Sequence, residues 1–266
     1  MKVYITADIE GVTGAAHWDE TDQKNAYYAE LREQMTAEVA AACEGALSAG
    51  ATEIWVKDAH GWARNIIAAR LPREVRLVRE WSGHPFGMMQ ELDYTFHAAL
   101  VIGYHSRAGS SGSPLAHTMT GDMITFKIND QYASEFMVSA YTAGLVGVPV
   151  VFLSGDAALC AEAQAFIPGL STVAVMHGVG NSAVNIHPHL AVERIRAGVA
   201  AALEADVSQC RVPLPGRFSV ELRYRKHADA YHAGFFPGAR AIDSHTVGFE
   251  ADDYFEVLRF FSFCVA

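Results

Sequence analysis

Two runs that are apolar throughout constrain the fold of this chain more than any other feature. They are Ala98-Ala99-Leu100-Val101-Ile102-Gly103 and Val148-Pro149-Val150-Val151-Phe152-Leu153, and polar residues follow each run at once. A strand that is apolar on both sides must be covered on both faces, which is typical of parallel sheets. The sequence therefore predicts an α/β fold, with a largely parallel sheet and helices on both faces.

Segments with helical spacing alternate with the predicted strands. In residues 27–48 the side chains of Leu31, Met35 and Val39 recur at helical spacing, and Gly50 suits the position after the helix. The other predicted helices are 66–71, 88–96, 135–146, 159–166, 190–203, 228–233 and 252–263. The other predicted strands are 3–7, 53–57, 75–78, 124–128, 172–175, 218–222 and 241–247.

Length and composition narrow the class of protein. With 266 residues, 51% of them hydrophobic, the chain can form a sizeable core in one large or two modest domains. We predict a metal-binding α/β lobe over residues 1–160. We predict a second lobe over residues 161–266, which contributes to a substrate pocket and to oligomer contacts.

Charge, hydropathy and cysteine spacing argue against several functions. The net charge of -10 disfavours nucleic acid or an anionic membrane as the partner. No apolar run reaches the roughly 18 residues of a membrane helix, and the first residues read as a strand instead of a signal peptide. The four cysteines form no C-x-x-C pair. We therefore expect a cytoplasmic protein with free thiols.

Acidic residues follow the first predicted strand. Side chains alternate along a strand, so Asp8 and Glu10 in Asp8-Ile9-Glu10-Gly11 point to the same side. Two neighbouring buried carboxylates repel each other, and a divalent cation removes that cost. The alternative is a strand end at which both carboxylates face water.

Further residues of the ligand type occur where other elements begin or end. His60 follows the second strand, His105 follows the apolar run 98–103, and Glu135 follows the Asn129-Asp130 turn. Parallel sheets place their binding sites at the carboxyl ends of the strands. Together with Asp8 and Glu10 these are too many ligands for one open zinc site, but they suit two metals bridged by one carboxylate, for which we favour Asp8.

Each candidate ligand also has an ordinary structural interpretation. His60 would be a loop residue that caps a helix, and His105 would bond backbone at a strand end. Glu135 would be a carboxylate in the first turn of a helix, which the helix dipole favours. His117, after a Gly/Ser-rich loop, is either a surface residue or a proton shuttle beside the metals. The run Gly178-Val179-Gly180-Asn181-Ser182-Ala183 matches a dinucleotide fingerprint but lacks a following helix start, so we set it aside.

Taken in order, five short motifs resemble the D-aminopeptidases of the dipeptide-transport type, peptidase family M55. The motifs are Asp8-Ile9-Glu10-Gly11, Asp58-Ala59-His60, Gly103-Tyr104-His105, Ala116-His117-Thr118-Met119, and Asn129-Asp130 followed by Glu135. The resemblance covers nearly the whole chain.

The resemblance implies a peptidase with two Zn²⁺ ions per subunit. Asp8, Glu10, His60, His105 and Glu135 would be the metal ligands, and His117 the catalytic histidine, described as a nucleophile in that family. It also implies a homodecamer built of rings around a chamber, and cleavage of short peptides with D-amino-acid N-termini such as D-Ala dipeptides. The segments Met176–Asn181 and Gly109–Pro114 depart from the pattern expected in relatives; neither contains a ligand of the set, and both bear on which peptide is bound.

We therefore expect a zinc-dependent aminopeptidase acting through a two-metal activated water, with His117 assisting. Whether His117 acts as nucleophile or as acid and base stays open. One alternative is a dinuclear metallophosphoesterase, although the chain lacks the Asp-x-His and Gly-Asn-His segments expected there. The other alternative is a non-catalytic, metal-stabilised oligomeric binding protein.

Overall fold

The computed structural model describes residues 1–265, which form two β-sheets and the helices that cover them. The strands in chain order are β1 (Lys2–Ala7), β2 (Glu53–Asp58), β3 (Val75–Val78), β4 (Ala98–Tyr104), β5 (Met123–Ile128), β6 (Gln131–Tyr132), β7 (Val150–Asp156), β8 (Ser171–Val179), β9 (Ser182–Asn185), β10 (Phe218–Tyr224), β11 (Arg240–Ala241) and β12 (Thr246–Ala251). The α-helices are α1 (Tyr28–Ser48), α2 (Glu135–Leu145), α3 (Ala157–Phe166), α4 (Pro188–Glu204), α5 (His227–Ala233) and α6 (Tyr254–Cys264).

The first sheet has the strand order β3-β2-β1-β4-β7-β8-β9 over the described residues. Its neighbours pair in parallel except β9, which runs antiparallel to β8. Every residue of β4 and β7 is buried, as the two apolar runs require. The predicted α/β class with a largely parallel, helix-flanked sheet is confirmed.

Helix α1 crosses α4 closely beside this sheet. A Cβ atom on Gly45 would lie only 2.4 Å from the carbonyl oxygen of Arg196 on α4. The absence of a side chain at Gly45 therefore permits the two helix backbones to approach, and the buried Val199 of α4 lies beside it.

The second sheet has the order β11-β12-β10-β5-β6, and all its strand pairs are antiparallel. Buried and exposed residues alternate along β10, as the sequence of residues 218–222 predicts. Helix α6 packs on this sheet, where Phe261 stacks on Phe126 with ring centroids 4.8 Å apart. The turn between β5 and β6 is made by Asn129 and Asp130 with φ of 50° and 64°, the left-handed geometry that such residues tolerate.

Sheet membership alternates along the chain. Strands β5 and β6 belong to the second sheet although they precede β7, and β8 and β9 belong to the first sheet although they follow it. The division into lobes over residues 1–160 and 161–266 stays a prediction.

The predicted helix over residues 88–96 is wrong. Only a 3-10 turn, Gly87–Met89, forms there, and Glu91 has a φ of 70°, which is incompatible with a right-handed helix. Carbonyl oxygens of this segment instead accept bonds from the first strand. The Tyr4 hydroxyl donates to Gln90 O at 2.6 Å, and Thr6 Oγ1 donates to Met88 O at 2.8 Å. These tertiary bonds replace the helical ladder.

Gly180 and Asn181 lie in the turn between β8 and β9, a hairpin that the sequence did not predict and that offers no helix N-terminus for a dinucleotide. None of the helices formed by residues 1–265 is long and apolar enough to cross a membrane.

Candidate metal centre

The candidate ligands meet at the carboxyl edge of the first sheet. Asp8 and Glu10 follow β1, His60 follows β2, and His105 follows β4, so three adjacent strands deliver them to one place. Glu135, the first residue of α2, joins them. Asp8, Glu10, His105 and Glu135 are each no more than 3% exposed.

Two glycines allow the ends of β1 and β4 to cross. A Cβ on Gly11 would lie 1.8 Å from Tyr104 O, and one on Gly103, whose φ is +70°, would lie 2.4 Å from Asp8 O. The Gly11 N–H donates to Gly103 O at 2.8 Å across the same contact. Only glycine fits at either position, and the crossing brings the Asp8–Glu10 segment beside His105.

Asp8 stands between two imidazoles. Its Oδ1 lies 3.3 Å from His60 Nδ1, and its Oδ2 lies 3.4 Å from His105 Nε2. Glu10 completes the first group, with Oε2 2.8 Å from His60 Nδ1. Glu135 completes the second, with Oε2 3.3 Å from His105 Nε2. The structure thus contains two carboxylate–imidazole groups that share Asp8.

Backbone carbonyls fix the orientation of the imidazole rings. His105 Nδ1 lies 3.0 Å from Ser106 O, and His60 Nε2 lies 3.0 Å from Thr21 O. A carbonyl oxygen only accepts, so these ring nitrogens carry the proton of the neutral ring. The lone pairs of His105 Nε2 and His60 Nδ1 therefore face the carboxylates, as in ligand histidines held by a second partner.

The facing lone pairs indicate a cation site. Glu10 Oε2 and His105 Nε2 are buried and have no hydrogen-bond partner among residues 1–265. Two acceptors in contact repel each other unless a proton or a cation lies between them. A mixed set of carboxylate oxygens and imidazole nitrogens is one that zinc and similar divalent ions accept. The residues present therefore fit a metal.

The field of the carboxylates favours positive charge at this place. Burial alone would lower the pKa of His60 and that of His105. The negative charge of Glu10 beside His60, and that of Glu135 beside His105, outweigh burial and raise both pKa values well above the ordinary value. Burial, together with the neighbouring Asp8 charge, raises the pKa of Glu10. Burial also opposes ionisation of Asp8, yet contacts with His105 and His60 hold its pKa well below the usual range.

His117 lies beside the two groups. Its Nε2 is 3.7 Å from Glu135 Oε1 and 3.9 Å from Glu10 Oε1. Its Nδ1 donates to Leu115 O at 2.8 Å, which turns the lone pair of Nε2 towards the carboxylates. The edge of Trp18 packs against the ring with centroids 5.0 Å apart.

A match to a family model identifies the chain. The model of the M55 peptidases, described as D-aminopeptidase, matches residues 1–263. The chain belongs to the M55 family of D-aminopeptidases. A D-aminopeptidase from Bacillus subtilis (strain 168) is 32% identical over 263 residues, which cover 97% of this chain and 94% of that protein.

A solved structure of this family has the same fold. It is the Zn-dependent D-aminopeptidase DppA from Bacillus subtilis, a self-compartmentalizing protease, which superposes with a TM-score of 0.92 at 29% identity. The match covers 98% of this chain and 95% of that one. This M55 D-aminopeptidase is thus a metallopeptidase, and the phosphoesterase and non-catalytic alternatives are not supported.

Two further acids at strand ends of this D-aminopeptidase brace the site. Asp58 accepts bonds from Asn65 N, Asn65 Nδ2 and Ile66 N at 2.5, 2.7 and 2.8 Å, and Asn65 Nδ2 also donates to His60 O at 2.8 Å. Both carboxylate oxygens are therefore occupied by donors. This bond network fixes the loop that carries His60.

Asp156 has the same role on the other side of the centre. It accepts bonds from Ser106 N at 2.5 Å, from Ser106 Oγ at 2.6 Å and from the first N–H groups of α3. It thereby anchors the residue next to His105. The sequence did not reveal these donors, because Asn65 meets Asp58, and Ser106 meets Asp156, only in the folded chain.

Met119 is a site residue that the sequence did not single out for a role. Its φ of 61° lies in the left-handed region, which is costly for a residue with a long side chain. Its N–H donates to Glu135 Oε1 at 2.6 Å and so orients that carboxylate. Met119 also lines, with Trp18, Trp81 and Met88, a cavity of about 310 Å³ that opens onto the candidate ligands.

Proposed function

We propose that this D-aminopeptidase hydrolyses short peptides with a D-amino-acid N-terminus, D-Ala dipeptides among them, using two zinc ions. The proposed ligands are Asp8, Glu10, His60, His105 and Glu135. The observation that carries the proposal is the position of Asp8. Its two carboxylate oxygens lie 3.3 Å from His60 Nδ1 and 3.4 Å from His105 Nε2, and these two histidines follow different strands. A carboxylate shared by two ligand groups can bridge two metal ions, which supports the two-metal proposal.

The zinc ions would act as Lewis acids that activate water and polarise the scissile carbonyl group. The chain itself supplies the rest of the chemistry. Thr21 O and Ser106 O hold the two ligand rings, and the Asp58 and Asp156 networks hold the loops that carry them. The ligands are thus preorganised, which lowers the cost of placing substrate and water in a reactive arrangement.

His117 would move protons during the reaction. Its Nδ1–H is engaged by Leu115 O, so Nε2 is the atom that can take or give a proton. Nε2 faces the carboxylates of Glu10 and Glu135, and all three residues line the cavity above the candidate ligands. We propose that it accepts a proton as water attacks and returns it to the leaving amine, as a general base and then a general acid.

We further propose a cytoplasmic homo-oligomer, with a decamer as the finer expectation. The oligomer rests on similarity to the self-compartmentalizing Bacillus subtilis protease. The location rests on the cysteines, because Cys43, Cys160, Cys210 and Cys264 are all free thiols, which is usual in reducing compartments.

Matched dipeptides test the proposed function. D-Ala-D-Ala and L-Ala-L-Ala would be offered to metal-free protein and to protein reconstituted with zinc, manganese or cobalt. We expect cleavage of the D-dipeptide with zinc, about two zinc ions per chain by plasma emission analysis, and no activity after chelation. Preferred cleavage of the L-dipeptide would overturn the stereospecificity, and one zinc per chain in fully active protein would overturn the two-metal site.

A further inference from the structure

A second cavity adjoins the candidate metal centre. Its volume is about 460 Å³, and it shares Trp81, Met88 and Met119 with the cavity above the ligands. The same three side chains therefore line both cavities, and this shared wall is where the two cavities adjoin. Pockets of this size bury substantial parts of a small ligand.

The surface of this second cavity is apolar. Beyond the shared wall, Phe86, Val138, Leu258 and Phe261 line it, and no residue of the described lining carries a charge. The hydroxyl of Ser262 donates to Leu258 O at 2.8 Å, which satisfies it within its own helix. A charged group entering this space would lose its hydration without gaining a partner.

The shared wall is held in place by bonds of its own. Trp81 Nε1 donates to Gly61 O at 2.7 Å, and the ammonium group of Lys57 lies 4.0 Å from the centroid of the Trp81 ring. Met119 is fixed through its N–H bond to Glu135. The cavity is thus preformed, which reduces the entropy lost when a ligand enters.

We propose that this cavity binds a bulky apolar side chain of the peptide, on one of the two residues that flank the scissile bond. The proposal rests on the proposed function and names its substrate class: dipeptides and short peptides with an aliphatic or aromatic residue beside the cleaved bond. No lysine, arginine or histidine in residues 1–265 lines the second cavity, so its wall offers no cation to a substrate group. Apolar contact is what this surface offers.

The expected preference follows from burial. Each methylene group removed from water favours binding by about a factor of three to four. We therefore expect kcat/KM to rise about tenfold or more when leucine or phenylalanine replaces alanine at the accepted position. Lysine or glutamate at the same position should give no increase in kcat/KM over alanine.

Two dipeptide series provide the test with the zinc-loaded protein. In one series the N-terminal residue varies and in the other the second residue varies, each through D-alanine, D-leucine, D-phenylalanine, D-lysine and D-glutamate. The variant Ser262→Phe narrows the cavity from α6, and Val138→Phe narrows it from α2. Ser219→Phe, at an exposed position of β10, is the matched control.

We expect one series to show the apolar preference in wild type and in Ser219→Phe. Both cavity variants should lose the preference, so that their kcat/KM for the D-leucine and D-phenylalanine dipeptides falls to their kcat/KM for D-Ala-D-Ala. Titration calorimetry with free D-phenylalanine and D-alanine adds a readout besides activity. D-Phenylalanine should bind more tightly to wild type, with a more negative heat-capacity change, and the cavity variants should remove that difference.

Other outcomes overturn the inference. Cleavage of D-Ala-D-Ala with no apolar preference in either series would refute it and leave the proposed function intact, whereas no cleavage of any dipeptide would refute the proposed function as well. An unchanged preference in folded Ser262→Phe and Val138→Phe would also refute it. If light scattering instead shows that these variants change the oligomer size, the cavity is a contact between subunits and the inference is refuted.

Discussion

The imidazole rings of His105 and His117 lie parallel, with centroids 4.2 Å apart and an angle of 7° between the ring planes. Both rings donate from Nδ1 to a backbone carbonyl, so both present Nε2 to the carboxylates of the centre. The lone pair of His105 points between Asp8 and Glu135. The Nε2 of His117 stays at 3.7 Å or more from the nearest carboxylate oxygen, a distance too long for a direct hydrogen bond but one that a single water molecule can bridge.

In the proposed mechanism this stacking sets His105, a zinc ligand, beside His117, the proton-transfer residue. We predict that His117→Gln lowers kcat by about 100- to 10,000-fold, because Gln keeps the polarity but exchanges no proton. Metal content measured by plasma emission should stay at the wild-type value. A parallel loss of metal would instead make His117 a ligand, together with Glu10 and His105, whose atoms are close enough to form such a group.

The shared position of Asp8 gives a second prediction. Asp8→Asn should weaken binding of both zinc ions, because both groups contain this residue. Glu135→Gln should weaken one ion only, because Glu135 belongs to the His105 group. Stepwise titration with zinc against a chromophoric chelator distinguishes one lost site from two. Equal losses in the two variants would contradict a bridging Asp8.

The loop of His60 gives a third prediction. Asn65→Ala removes the side-chain amide that donates to both Asp58 and His60 O. The His60 ring, a proposed zinc ligand, then loses its support but keeps its nitrogen atoms. We expect zinc affinity to fall about 10- to 100-fold, the usual effect of an outer-shell change. Asn181→Ala, in the exposed turn between β8 and β9, is the control and should bind zinc as wild type does. Unchanged affinity in Asn65→Ala would show that the loop does not need this brace.

Lys57 gives a prediction on pH. Burial lowers the pKa of this lysine from 10.5 to about 8. Between these pH values the unfolded chain holds more protons than the native chain, so this group makes the native state more stable as the pH rises. Below about pH 8 the buried charge is present and its cost is largest.

Lys57→Met removes that titration while keeping most of the side-chain volume. The free energy of unfolding of wild type minus that of the variant should therefore increase from about pH 7.5 to about pH 10. Urea denaturation at several pH values measures this difference, and other titrating groups cancel in it. A difference that is constant with pH would show that Lys57 keeps an ordinary pKa in the native protein.

The sequence predicted the parts of the site that depend on local chemistry. The apolar runs of β4 and β7 required burial on both faces, and this requirement placed the residues after each strand at one edge of a sheet. His60, His105 and Asp8 could be grouped on that basis alone. The structure confirms that they meet, and their role as metal ligands stays a prediction.

Other parts depend on partners that are distant in sequence. Asp8 follows β1 and Asp58 ends β2, so their positions look alike in sequence, and only the donors on Asn65 show that Asp58 is a brace. Residues 88–96 have helical spacing, but the hydroxyls of Tyr4 and Thr6 take up the carbonyls that a helix would use. Such competition between local and tertiary bonds has no signal within the segment itself.

The crossing of Gly11 over Gly103 has a consequence for variation at these two positions. A Cβ atom at Gly11 would overlap Tyr104 O, and one at Gly103 would overlap Asp8 O. Even the smallest substitution, to alanine, would therefore force the ends of β1 and β4 apart and carry Asp8 away from His105. Two residues that supply no side chain to the centre are thus closed to mutation.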